Sequence, residues 1–128
     1  MESAIRWLRV SFMAGAVADG FAGILMLIPS RMGETDFRYA MGMGAALMIG
    51  WTALLLWGYR KPMERKGVLL LTIFPAIVGL FATGIWAVSS GFFPIVKIIP
   101  SSILQIALII LFGYSYLKAR NEDTGSKR

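Results

Sequence analysis

The chain has 128 residues, 57% of them hydrophobic and 16% charged, against roughly 45–50% apolar and about 25% charged in a soluble domain. A core of this size cannot hide the excess, so apolar surface must face lipid, which excludes a soluble enzyme, an ordinary secreted domain and a disordered chain. With no cysteine and no histidine, disulfides, thiol nucleophiles, imidazole bases and the usual zinc or haem sites lack their atoms; no metal and no cofactor is expected.

Four apolar stretches follow in chain order, each long enough to cross a hydrocarbon core of about 30 Å at roughly 1.5 Å per residue. The first runs from about Trp7 to Ile28, interrupted by Arg9 and Asp19, and stops at Pro29-Ser30. Its apolar run is too long for a signal peptide, and Ile28-Pro29-Ser30 is a poor cleavage site, so it reads as a retained span. The second runs from about Tyr39 to Tyr59 and ends at Arg60-Lys61-Pro62, where charge and a missing N–H oppose continuation. The third begins at Gly67 and fades near Val88, with Pro75 placed to kink it near its middle. The fourth starts between Ile95 and Pro100 and ends at Leu117; Pro100 suits a first helical turn. The apolar connection Phe92 to Ile99 is expected at the membrane interface, with Lys97 reaching outward.

Only helices and closed barrels satisfy the backbone inside lipid, and runs without strict alternation read as helices. The predicted fold is therefore all-α: a polytopic four-transmembrane-helix bundle over residues 1–120, with helices at about 7–28, 39–59, 67–88 and 97–117. Residues 121–128 read as a disordered cytoplasmic tail.

Charge sets the orientation. Arg6, Arg9, Arg60, Lys61, Arg65, Lys66, Lys118, Arg120, Lys127 and Arg128 fall on one side, and only Arg31, Arg38 and Lys97 on the other. The excess of positive charge predicts a cell-membrane protein with both termini and the second connection in the cytoplasm. The net charge of +6 is thus a topology signal; no soluble face exists for nucleic acid, and the expected partners are membrane lipids. The same reading explains Arg60 to Lys66 as an ordinary cytoplasmic turn, and Ser30 to Arg38 as a solvated outer connection of mixed charge. Trp7, Trp57, Tyr59, Tyr114 and Tyr116 form the expected inner aromatic belt, and Phe37, Tyr39, Trp86, Phe92 and Phe93 the outer one. Trp51 lies too deep for a belt and is expected between helices, where it joins the candidate ligand-site residues.

Asp19 is the one ionisable residue well inside a span, about nine residues or roughly 13 Å from the outer end of its helix. A carboxylate at such depth costs about 2.5–3.5 kcal/mol on insertion scales, so it should turn into the bundle, neutral or reached by water. It is a candidate proton or ligand site; the structural alternative is an acid that pins two helices or bonds its own backbone. Thr83 and Gln105 are the other polar candidates in the outer half. If all three turn inward they line a polar pocket, whereas Thr83 bonding its own helix and Gln105 a neighbour would leave none.

Small residues recur at spacing four. Gly15 and Gly23 flank Asp19 on the first helix, and Gly42, Ala46 and Gly50 form a stripe on the second. Such stripes permit close backbone approach, so the first two helices are expected to pack through them, with a homo-oligomer seam or a cavity wall as the alternative use. Gly79, Thr83 and Ala87 repeat the pattern weakly.

With Ala18-Asp19-Gly20, four helices, short connections and a basic second turn, the whole chain resembles the small four-helix bacterial and archaeal membrane proteins of the DoxX-like type. The resemblance implies the architecture and no residue role. The chain is also similar in length to the small multidrug resistance exporters, which carry an acid in the first helix; theirs is Glu where this chain has Asp19, and the flanking residues differ. The expected function is a binding or accessory protein with an intramembrane pocket for a lipid or other apolar small molecule. A proton-coupled transporter using Asp19 stands second. A membrane enzyme stands last, since no paired acids and no nucleophile with its base are evident in the sequence.

Overall fold

Apolar runs that must satisfy their own backbone become helices, and the computed structural model of the chain consists of four. It describes residues 1–28, 35–92 and 94–125. Helix α1 spans Glu2–Met26, α2 Thr35–Arg60, α3 Gly67–Ser89 and α4 Ile95–Gly125. All four are long and apolar enough to cross a membrane, and no strand occurs among the described residues. The fold is an all-α four-helix bundle.

The helices reach beyond the expected boundaries at the end that carries the termini. Helix α1 begins at Glu2 rather than Trp7 because Ala4 and Leu8 are fully buried and continue the face of Phe12 and Ala16. Asn121 to Gly125, expected to be a disordered tail, instead extend α4. Electrostatic docking explains this: Lys66 Nζ lies 2.7 Å from Asp123, the Met1 amine pairs with Glu122, and Lys118 donates to Ser3 Oγ at 2.7 Å. At the opposite end α2 starts at Thr35 and α4 at Ile95, so Ile95 to Ile99 belong to a helix and Pro100 lies inside it. The expected stop at Pro29-Ser30, the connection that follows it, the belt placements of Phe37 and Phe93, and the last three residues fall outside what the structure describes.

Around the bundle the order is α2, α1, α4, α3. Helix α1 packs most extensively on α2 and also on α4. The α1–α4 seam is partly polar: Ser11 and Ser115 Oγ atoms lie 2.7 Å apart, fully buried, and the Ser115 hydroxyl also reaches Trp7 O at 3.2 Å. Interhelical hydrogen bonds of this kind contribute roughly 0.6 kcal/mol on average inside membranes. Neither serine was distinguishable in the sequence from a hydroxyl bonded to its own helix.

Gly15 sits where three helices meet, so close that an added Cβ would lie 2.8 Å from the Phe112 ring and 3.0 Å from Leu55. Gly23 faces Met48 and Ile49, and Gly58 of α2 faces Phe12. The expected use of Gly42, Ala46 and Gly50 is overturned. A Cβ at Gly42 or Gly50 meets nothing within 4 Å, and Ala46 is exposed, so this stripe lies on the outer surface of α2. The face of α2 that meets α1 carries Ala45, Met48, Thr52, Leu55 and Gly58 instead. Two small-residue registers were present on one helix, and bulky Phe12 selected the one containing Gly58.

Helix α3 is broken. Phe74 has extended backbone angles (φ −132°, ψ 121°), separating Gly67–Leu71 from Val78–Ser89 through a wide turn at Thr72–Ile77. A proline disfavours helical angles at the residue before it and has no N–H for the carbonyl one turn back, so Pro75 accounts for the break. Beyond it, α3 leans on α4 and stays apart from α2.

Candidate functional site

The separation of α2 from the second half of α3 leaves a groove of about 420 Å³ in the half of the bundle away from the termini. Helix α1 contributes Asp19, α2 contributes Leu47, Met48 and Trp51, and α3 contributes Thr72, Ala76, Ile77, Gly79, Leu80 and Thr83. Its width is set at one end by a hydrogen bond: Trp51 Nε1 donates to Thr72 Oγ1 at 3.1 Å, and the Thr72 hydroxyl donates to Val68 O at 2.8 Å. The indole spans the space between the helices there, while Ala76 and Gly79 keep the α3 wall low beyond it.

Among the described lining residues the walls are almost wholly apolar, with one charged residue. Asp19 is half-buried and has no hydrogen-bond or ion-pair partner among the described residues. It makes no direct hydrogen bond to a second helix or to its own backbone among the described residues. Its neighbours on the same helix face, Gly15 and Gly23, are buried. Close packing of α1 on α2 and α4 through these glycines therefore positions the acid between them, at the groove.

The remaining candidates divide. Thr83 lines the groove, but its hydroxyl turns back on its own helix, 2.9 Å from Leu80 O and 3.1 Å from Gly79 O. Gln105 is half-buried on α4 and takes no part in the groove. The expected pocket of Asp19, Thr83 and Gln105 does not form; Asp19, Trp51 and Thr83 come together without Gln105. Thr72 was missed, because nothing in the sequence says that α2 and α3 meet through Trp51 and Thr72.

Chemically, this arrangement offers apolar walls for an alkyl chain or ring and one carboxyl group to accept a hydrogen bond or a positive charge. A metal ion would find Asp19 as the only carboxylate among the described lining residues, too few ligands for a resident site. Set against protein-family models, curated proteins and solved structures, the chain matches none of them.

Proposed function

We propose that the chain is a multi-pass protein of the cell membrane, with both termini cytoplasmic, that holds a lipid or other apolar molecule in the α2–α3 groove as a binding or accessory protein. The observation that carries this reading is the groove itself: apolar walls at membrane depth around one carboxyl group without a protein partner. In lipid, α3 has no hydrophobic gain in closing on α2, since acyl chains solvate both faces equally well, so an apolar guest can keep the helices apart.

Trp51 provides the test. In a variant with Trp7, Trp57 and Trp86 replaced by Phe, a phosphatidylcholine brominated on its acyl chains is expected to quench Trp51 on reconstitution. Adding Ala76→Phe, which fills the α3 wall, is expected to cut that quenching at least in half. Equal quenching with and without Ala76→Phe would mean that the lipid reaching Trp51 is bulk lipid, and that the groove is not a site.

A proton-coupled transporter is the second reading, favoured by the break at Phe74 beside the groove. Interrupted membrane helices elsewhere line ion and substrate paths. The orientation common to both readings rests on the positive charge near the termini and the second turn. Cysteine at Ser90 is expected to react with an impermeant maleimide from outside, and cysteine at Lys61 only after the membrane is opened. Reaction at both from outside would mean that the chain inserts both ways.

A further inference from the structure

A second pocket, of about 460 Å³, lies at the end carrying the termini, between α1 and the last turn of α2. Its polar lining is Glu2, Arg6, Arg9 and Tyr59, and its apolar lining includes Val10 and Met13. The Arg9 guanidinium stands 5.7 Å from the centre of the Tyr59 ring, which holds it at the pocket by cation–π attraction. Lys61, Lys66 and the Met1 amine at the same end are paired with Glu64, Asp123 and Glu122, whereas Arg6 and Arg9 have no ion-pair partner among the described residues. Two arginines against one carboxylate leave the pocket with a surplus of one positive charge.

The pocket continues into an apolar strip. Val10, Met13 and Val17 follow Arg6 and Arg9 on one face of α1, exposed by 47%, 41% and 63%. From Arg9 to Val17 the helix rises roughly 12 Å, close to the depth of one leaflet, which is half of a hydrocarbon core of about 30 Å. Two guanidinium groups at one end and an exposed apolar strip beyond them therefore follow one another in the order and at the spacing of the parts of a single lipid molecule.

We infer that this pocket is a site for a phospholipid with one net negative charge. Its phosphate sits between the Arg6 and Arg9 guanidinium groups within reach of the Tyr59 hydroxyl, and one acyl chain lies along Val10, Met13 and Val17. Guanidinium groups suit phosphate because their fixed fork matches two oxygens at once. Glu2, one turn nearer the water than Arg6, opposes a second negative charge and can accept from a headgroup hydroxyl, which selects a glycerol head over a doubly anionic one.

The test uses the intact chain in maltoside micelles, titrated with phosphatidylglycerol, phosphatidylcholine or water-soluble glycerol phosphate, with bound lipid counted by native mass spectrometry. Phosphatidylglycerol is expected to bind at least about ten-fold more tightly than phosphatidylcholine, since each cation near an anionic headgroup contributes about five-fold. Glycerol phosphate is expected not to displace it. Arg6→Gln with Arg9→Gln should abolish the preference, and Tyr59→Phe should weaken it several-fold. Arg60→Gln with Arg120→Gln, an equal loss of charge outside the pocket, should change it by less than two-fold. Should the glutamine pair fail to insert, Arg6→Lys with Arg9→Lys keeps the charge and is expected to lose several-fold through loss of the fork. Equal affinity for both lipids, or equal loss from the two double glutamine variants, would reduce the pocket to general basic attraction. Displacement by glycerol phosphate would make it a site for soluble phosphate compounds, and would equally overturn the inference.

Discussion

Gly58→Ala is expected to destabilise the bundle by about 1–3 kcal/mol while Gly50→Ala, the same change on the same helix, leaves it unchanged or slightly more stable. At Gly58 the new methyl would fall on the Phe12 ring, and Phe12 is fully buried against the core. The ring cannot move away without opening the seam between α1 and α2, so the strain is shared by both helices. At Gly50 the methyl meets nothing within 4 Å, and alanine is the better helix former. Unfolding midpoints in mixed micelles of dodecyl sulfate and maltoside distinguish the two. Equal losses would place Gly50 in an interface and restore the stripe of Gly42, Ala46 and Gly50 as a packing surface.

The other large effect concerns Asp19. A carboxyl group inside a span without a protein partner is a standing cost, so Asp19→Leu is expected to raise stability, by up to about 3 kcal/mol on insertion scales. Asp19→Asn keeps the shape and the hydrogen-bonding capacity and is expected to fold, insert and retain brominated lipid in the groove as the parent does. Leucine at the same position should reduce binding of a ligand with a hydrogen-bond donor or a cation at its polar end, because its acceptor is gone. Vesicles carrying a proton gradient then separate the two functional readings. As a binding protein, parent and Asn variant should show the same solute flux. A proton-linked flux present in the parent and absent in a folded Asn variant would establish Asp19 as a coupling site and replace the binding reading. A loss of stability in Asp19→Leu would show that the acid has a partner in the membrane.

How much was legible in the sequence depends on which force writes the signal. Each run had to be apolar along most of its length, with every charge but Asp19 near its ends, so number, type and approximate extent of the helices could be read without reference to their neighbours. The tail was misjudged because Glu122 and Asp123 look like solvated charge until the Met1 amine and Lys66 are placed beside them. Pro75 was legible as an interruption, since the missing N–H is a local fact. The side on which α3 opened was not, because it depends on how α3 leans against α4.

The set of four helices, the clusters of positive charge and one acid inside an apolar run are written along the chain itself. Rotation and neighbourhood came from the packing of helix on helix. It turned Gly58 rather than Gly50 toward α1, joined Trp51 to Thr72, brought Asp19 and Thr83 to one groove without Gln105, and set Arg6 and Arg9 beside Tyr59. The physical reason is that a soluble helix announces its buried side by a polar opposite face, whereas these helices are apolar all round. Large side chains such as Val17, Phe21 and Ile24 are more than 60% exposed. With lipid as apolar as the core, the orientation of each helix is settled by the fit of one side chain against another, and that fit is a property of pairs of helices rather than of any one of them.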